Sequence, residues 1–224
     1  MFYMYAVVEG LPPAWRPPPA VVQAASVDRH RLGPRLLLAS TLDAVPASTP
    51  KTLALHHDVV ASTLDAHAVV PFRYGTAVAD GEADTWLGAQ RIALDAALAQ
   101  VRGCVEMSVK LLRLDSGLEQ QGGPGDAELR ALADQLVDRA GIEQWRYRPA
   151  GTGGNVVASV AFLLPRTELA EFLSRIAPIA SRAIGVAVVP TGPWPAYSFV
   201  PPFDRPPLSV VPPSQSSSPA RRAG

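Results

Sequence analysis

The pattern of hydrophobic and polar positions changes its period within residues 49–76, from that of a helix to that of a strand. Thr49 followed by Pro50 is typical of a helix start, because the Thr side chain can cap free amides and Pro has no N–H to lose at the first helical position. The positions with helical spacing predict one buried face, formed by Leu53, His57, Val60 and Leu64. The period then becomes two, which predicts a strand over 69–75. Because Pro71 cannot donate to a ladder, we expect this strand at a sheet edge, or Pro71 near the first residue of the strand.

Three further strands are predicted in the first 78 residues. Short runs of apolar and β-branched residues lie at 2–8, 20–28 and 35–42. Together with the helix and strand described above, they indicate an N-terminal α/β domain over residues 1–78 with a mixed sheet.

A long helix is predicted to connect this domain to the rest of the chain, within residues 79–102. Asp80, Glu82 and Asp84 place negative charge at its N-terminus, where the helix dipole favours it, and Gly103 ends it. Its apolar face is formed by Leu87, Leu94, Leu98 and Val101.

The chain from residue 103 onward predicts the order strand, helix, strand, strand, helix, strand. The first strand should bury Val105, Met107, Val109 and Leu111 on one face. The other elements are a helix capped by Asp126, strands at 144–149 and 155–164 joined by a hairpin turn at Gly151–Gly154, a helix from Thr167 and a strand at 184–190. This order is that of a split βαβ, ferredoxin-like domain.

The predicted fold class is therefore α+β with two domains. The mixed-sheet α/β domain spans residues 1–78, and the ferredoxin-like domain spans residues 103–203. Residues 204–224 are rich in Pro and Ser and lack periodicity, so we expect a disordered tail.

Composition limits the partners that the protein could bind. Twenty Lys and Arg residues balance twenty Asp and Glu residues, so neither a nucleic acid nor a membrane surface is expected as a partner. The longest apolar run, at 156–164, is too short to span a bilayer. Cys104 is the only cysteine, which excludes an internal disulfide and favours an intracellular protein.

No candidate catalytic or metal site has the spacing that its chemistry requires. His56 and His67 lie three helical turns apart, about 16 Å, which is too far to share one metal ion. A phosphate-binding loop needs a helix after it, whereas the glycines at 151–154 precede a predicted strand. Cys104 has no nearby base. We therefore expect no enzyme activity, no cofactor and no small-molecule substrate.

Two charges interrupt apolar strands at Arg73 and Glu106. One hypothesis is that they form an ion pair between the two domains, or that each binds backbone groups; the alternative is two independent exposed charges. The proline-stiffened segment after the last strand carries Trp194, Tyr197 and Phe199. These aromatics either close over the protein's own core, which is favoured, or face a partner.

Several of these segments, taken in order, resemble the GvpF/GvpL family of gas vesicle proteins. The resemblance covers about residues 2–200. It is carried by Tyr3–Val8, His56, Val59, Val60, the run Val70-Pro71-Phe72-Arg73-Tyr74-Gly75-Thr76, Gly103–Glu106 with Lys110, Ala161–Arg166 and Gly192–Phe199.

This resemblance implies a minor structural or assembly protein of gas vesicles, in the vesicle or the cytoplasm, with two domains of the kinds described above. Its expected partners are the major shell protein GvpA and other Gvp proteins, held by apolar contact. The edge strand at 69–75 could accept a partner strand by β-augmentation. The candidate partner-binding residues are His56, Val70, Pro71, Phe72, Arg73, Tyr74, Trp194, Tyr197 and Phe199. The alternatives are a ferredoxin-like small-molecule-binding or enzymatic domain, or a scaffold that recruits partners through its C-terminal sheet.

Overall fold

The computed structural model describes residues 1–114, 125–149, 155–180 and 185–203. The predicted turn at 151–154 and the predicted disordered tail at 204–224 lie outside these residues. The described elements form two antiparallel sheets and four α-helices. In chain order they are β1 (Phe2–Glu9), β2 (Asp28–Leu32), β3 (Arg35–Thr41), α1 (Pro50–Ala61), β4 (Ala68–Pro71), β5 (Ala77–Val78), α2 (Ala83–Val101), β6 (Cys104–Arg113), α3 (Asp126–Ala140), β7 (Trp145–Pro149), β8 (Val156–Pro165), α4 (Leu169–Ala180, after a 3₁₀ turn at Arg166–Glu168) and β9 (Val186–Trp194).

The N-terminal sheet has the order β2-β3-β1-β4, and β5 also pairs with β1. Every pairing is antiparallel, so the expectation of a mixed sheet is wrong. A register shift between Met4 and Ala6 turns Tyr5 and Ala6 towards the same side of the sheet. Strict alternation would have separated these two side chains.

The strand predicted at 20–28 is also wrong, because β2 begins only at Asp28. Ala20, Val21 and Val27 are buried beside Trp15 in the core on the α1 side of the sheet. Their apolar character therefore reflects burial within a loop. Over so few residues, a buried loop and a strand have the same sequence pattern.

Helix α1 begins where the sequence predicts. Thr49 accepts a hydrogen bond from the Thr52 amide, and the Thr52 side chain accepts one from the Thr49 amide. The buried face is rotated, however: His56 is buried and His57 is only half-buried, so the placement of His57 on the buried stripe is wrong. Leu53, also assigned to that stripe, is 44% exposed. His56 turns inward because it has hydrogen-bond partners in the core.

Helix α2 lies between the two sheets. Its predicted apolar face is confirmed, and Trp86 and Ala97 are buried with it. Against this face pack Met4 and Val7 of β1 and, from the other sheet, Ala161 and Leu163 of β8. The two sheets therefore share one core through α2.

The C-terminal sheet has the order β7-β8-β6-β9, with all neighbours antiparallel. The inward positions predicted for β6 are confirmed, and helices α3 and α4 share with them the core on the sheet face away from α2. The predicted capping of α3 is wrong in position: Gly125 is the N-cap, and its amide donates to the Glu128 carboxylate at 3.0 Å. Strand β9 extends beyond its predicted end, because Trp194 still pairs with Glu106 of β6.

Candidate partner-binding site

A cluster of aromatic side chains surrounds His56 on the inner side of α1. The imidazole stacks on Tyr5 at 5.4 Å between ring centroids, and the rings of Tyr3 and Tyr74 meet its edge at 5.7 Å. We call Tyr3, Tyr5, His56 and Tyr74 the tyrosine–histidine cluster. It joins α1 to β1 and to the segment after β4.

The hydrogen bonds of this cluster fix its proton positions. The Phe72 carbonyl oxygen, 3.0 Å from His56 Nε2, can only accept, so Nε2 carries the proton. Nδ1 must then accept from the Tyr3 hydroxyl at 2.8 Å, and this hydroxyl accepts from the Gly75 amide at 3.4 Å. Desolvation by burial lowers the pKa of His56 to about 4, and the nearby His57 adds to this effect. His56 is therefore a neutral structural group near neutral pH.

Tyr5 fixes the loop that precedes β2. The Ser40 hydroxyl donates to the Ser26 carbonyl at 2.5 Å, so it accepts from the Tyr5 hydroxyl at 3.0 Å. The Tyr5 hydroxyl in turn accepts from the Val21 amide at 3.1 Å. Buried tyrosines need such partners. The sequence alone gives no signal for these contacts, because they join residues far apart in the chain.

The aromatic segment that begins at the last residue of β9, Trp194, and ends at Phe199 lies where α1 meets the C-terminal sheet. The His57 ring contacts Trp194 at 5.1 Å and stacks on Tyr197 at 6.4 Å between centroids. Phe199 is buried in the core that the two sheets share, and Arg146 of β7 lies over its ring at 5.4 Å. The favoured interpretation, packing on the protein's own core, thus describes Phe199, while Trp194 and Tyr197 keep part of their surface exposed.

Glu106 holds this segment to β6. Its carboxylate accepts from the Ser198 amide at 2.8 Å and from the Ser198 hydroxyl at 2.7 Å. Burial raises the pKa of Glu106, while the Ser198 hydrogen bonds and the charge of Arg148 oppose the rise. No ion pair joins Arg73 to Glu106. For Glu106 the Ser198 contact fits the other form of the same hypothesis, in which the charge binds a backbone group. Arg73 is exposed, in the segment after β4.

We expect Glu106→Ala to lower the free energy of unfolding by about 2–3 kcal/mol, because the partly buried Ser198 amide and hydroxyl lose their charged acceptor. Glu106→Gln should cost less than about 1 kcal/mol, since the amide oxygen can accept from the Ser198 amide while its NH₂ donates to the hydroxyl. Urea denaturation of wild type and the two variants measures both losses of unfolding free energy. Equal losses in the two variants would contradict the role given to the hydrogen bonds.

Most of the candidate partner-binding residues are buried. His56 is 3% exposed and Phe72 only 1% exposed, and Val70, Pro71 and Phe199 are also buried. Strand β4 covers only Ala68–Pro71, and all four residues are buried. The strand therefore ends before residue 75, the end that the sequence predicts. Its position at a sheet edge is confirmed. The candidates that keep exposed surface are Arg73, Tyr74, Trp194 and Tyr197.

Little in the described residues resembles a catalytic or metal-binding site. Within these ranges, no three His, Cys, Asp or Glu side chains are grouped to hold a metal ion. Cys104 is half-buried, and desolvation by burial raises the pKa of its thiol, which makes the thiolate scarce. None of the four described helices combines the length and hydropathy that a membrane-spanning helix needs.

Comparison with known proteins decides the family. The family profile described as "Gas vesicle synthesis protein GvpL/GvpF" matches residues 1–148 and 142–201. The chain belongs to the GvpL/GvpF family. No curated protein sequence matches the chain.

Two crystal structures show the same fold as this GvpL/GvpF protein. The gas vesicle protein GvpF from Anabaena sp. PCC7120 superposes with a TM-score of 0.72 at 14% identity, over 88% of this chain and 94% of that one. The GvpF from Microcystis aeruginosa gives a TM-score of 0.69 at 14% identity, over 88% and 98% of the two chains. The GvpL/GvpF family is one of gas vesicle proteins, so the family match associates this chain with gas vesicles. It is not a known enzyme family.

Proposed function

We propose that this protein is an accessory protein of gas vesicle formation that binds the shell protein GvpA and other Gvp proteins, in the cytoplasm and at the vesicle. The observation that carries the proposal is the family match, which extends from residue 1 to residue 201. A non-enzymatic role is supported by the family and by the geometry, since the buried His56 and Glu106 are held by hydrogen bonds within the protein.

Two domains joined by a helix would form the structural basis of this role. We propose a boundary after residue 78, a connecting helix within 79–102 and a ferredoxin-like domain over 103–203. The strand order β7-β8-β6-β9, with α3 and α4 on one face, supports the ferredoxin-like assignment. The core shared through α2 supports a rigid connection, so that the protein acts on its partners as one unit.

We place the contact with GvpA on the outer side of α1 and the aromatic residues beside it. Leu53, on α1, is 44% exposed and lies one helical turn before His57, which contacts Trp194 and Tyr197. Tyr74 and Arg73 keep exposed surface near the start of α1, where the Tyr74 hydroxyl donates to the Pro46 carbonyl at 2.9 Å. Half-exposed aromatics with an apolar neighbour are typical of interface anchors.

A small-molecule function has no comparable support. The surface cavity lined by Phe2, His30 and Leu87 measures about 350 Å³, and another at the junction of the two sheets, lined by Leu64, Val105 and Pro193, measures about 150 Å³. These volumes are at or below the low end of ligand pockets.

Capture by GvpA tests this proposal. We expect tagged GvpA to capture the full-length wild-type chain when the two are co-expressed. Leu53→Asp should reduce capture at least about tenfold, because a charge would enter an apolar contact. Ile92→Asp and Leu173→Asp are matched controls, since both replace exposed apolar side chains on other helices and should leave capture unchanged.

Two outcomes would contradict the proposal at different levels. If GvpA captures none of the proteins, the direct contact with GvpA is wrong. If Leu173→Asp loses capture while Leu53→Asp keeps it, the contact lies on the C-terminal domain instead. Circular dichroism of each variant verifies that it is folded.

A further inference from the structure

The N-terminal sheet ends on one side in an open strand, β2. Leu32 and Arg35 flank the two-residue turn Gly33-Pro34, so they form a hydrogen-bonded pair. Along antiparallel strands, such pairs alternate with pairs that exchange no hydrogen bond. The backbone groups of His30 therefore face β3, and those of Arg29 and Arg31 point away from the sheet. In the described part of the chain, these outward groups have no hydrogen-bond partner.

The opposite edge strand of this sheet, β4, is less available for pairing with another chain. Strand β4 is short and buried, and Pro71 has no N–H to offer. The Gly103 amide already donates to the carbonyl of His67, the residue just before this strand, at 2.8 Å. Of these two edge strands, β2 is therefore the one that can form backbone hydrogen bonds with another chain.

The two faces of β2 differ in chemistry. Arg29 and Arg31 are exposed on the α1 side of the sheet, and within the described ranges neither guanidinium forms an ion pair with a carboxylate. Arg29 approaches only the ring of Trp15, at 6.0 Å. His30 and Leu32 lie on the α2 side, where His30 contacts the Phe2 ring at 4.6 Å.

A cleft runs along that second face, because α2 packs mainly on β4 and β1 and meets the β2–β3 hairpin less closely, through contacts such as the Arg35–Asp95 ion pair. It measures about 350 Å³, and polar residues, among them His30 and Asp84, line it together with Phe2, Leu32 and Leu87. A smaller cavity of about 260 Å³ adjoins it at Leu32 and Leu87 and reaches Leu94. A strand added next to β2 would direct every second side chain towards this partly apolar cleft.

We propose that β2 is a docking edge for an extended segment of another protein in which acidic and apolar residues alternate. The acidic side chains lie beside Arg29 and Arg31, and the apolar ones enter the cleft beside Leu32. The backbone of the segment pairs with the outward groups of Arg29 and Arg31. This surface is distinct from the one proposed above for GvpA, so the two can fail separately.

A second copy of this chain does not fit the same edge. Antiparallel pairing of two β2 strands around His30 places Arg29 of each strand opposite Arg31 of the other. Like charges directly opposite destabilise a strand pair. The edge thus disfavours self-association while it favours an acidic partner.

Binding of a fluorescent peptide with the sequence Glu-Val-Glu-Val-Glu-Val-Glu to the full chain tests the proposal by fluorescence anisotropy. We expect it to bind at least about tenfold more tightly than the corresponding Lys-Val peptide. The double variant R29E/R31E should reverse this preference. The double variant R113E/R139E makes the same charge change at exposed arginines of the C-terminal domain and should keep the wild-type preference.

Methylated peptides separate strand addition from simple charge attraction. In an antiparallel strand next to β2, the Glu amides face Arg29 and Arg31, whereas the Val amides point away. Methylation of the Glu amides should therefore abolish binding, and methylation of the Val amides should not. Equal binding of the two methylated peptides, or an unchanged preference in R29E/R31E, would overturn the proposal. A dimer of the wild-type chain that R29E/R31E disrupts, seen by sedimentation, would also overturn it.

Discussion

Replacing Phe72 by alanine is expected to lower the free energy of unfolding by about 3–5 kcal/mol. The Phe72 ring is 1% exposed, and it meets the rings of Trp86 and Phe203 at 5.7 Å between centroids. It therefore ties the segment after β4 to α2 and to the end of the described chain. Truncation to alanine leaves a cavity in the core that both sheets share.

Urea denaturation measures this loss, and Leu53→Ala is the matched control. Leu53 is an apolar residue of the same domain with 44% exposure, so its truncation should change stability by no more than about 0.5 kcal/mol. If Phe72→Ala keeps the wild-type stability and yet loses capture by GvpA, Phe72 is a contact residue, as the sequence predicted. The burial of its ring favours the opposite result.

Local signals in the sequence were sufficient for most elements. The cap at Thr49, the end of α2 before Gly103 and the inward side of β6 each depend on residues within one or two turns or strand periods. These are short-range effects, so a single sequence contains them. The order of the elements from β6 to β9 also agrees with the predicted order, because each element has its own local pattern.

Long-range contacts decided what the sequence could not predict. Helical spacing fits either His56 or His57 as the inward residue of α1, and the choice depends on Tyr3, which is 53 positions away. The apolar pattern at 20–28 does not distinguish a buried loop from a strand, and the anchor of that loop is the Tyr5 hydroxyl.

For the candidate site, the family segments named residues of two structural kinds, which the sequence did not distinguish. A core residue and a contact residue have the same apolar character in a sequence. Burial separates them: Val70 and Phe72 stabilise the fold, while Tyr74 and Trp194 retain exposed surface. The open edge at β2 was missed because its residues were placed outside a strand.

The stability of the wild-type protein is expected to fall as the pH decreases from about 6.5 to about 4, and His56 is the cause. Its pKa is lowered from the ordinary value of 6.5 to about 4 in the folded state, mainly by desolvation. In this window the unfolded chain binds a proton that the folded protein does not bind. Acid therefore favours unfolding until His56 is protonated in both states.

The difference between wild type and His56→Gln isolates this contribution. Gln keeps one donor for the Phe72 carbonyl and one acceptor for Tyr3 but does not titrate. Relative to the variant, wild type should lose roughly 2–3 kcal/mol of unfolding free energy between pH 7.5 and pH 4.5. Titrations of Glu106 and of other groups occur in both proteins and cancel in the difference.

His57→Gln is the matched control, because His57 is the neighbouring, half-exposed histidine of the same helix. This variant should keep most of the wild-type pH dependence, because it leaves the buried imidazole of His56 in place. A parallel pH dependence of wild type and His56→Gln would contradict the assignment. If His56→Gln does not fold, an NMR titration of the wild-type imidazole gives the answer directly: a His56 pKa near 6.5 would mean that burial does not keep this side chain neutral, and the fixed proton positions of the tyrosine–histidine cluster would then have to be abandoned.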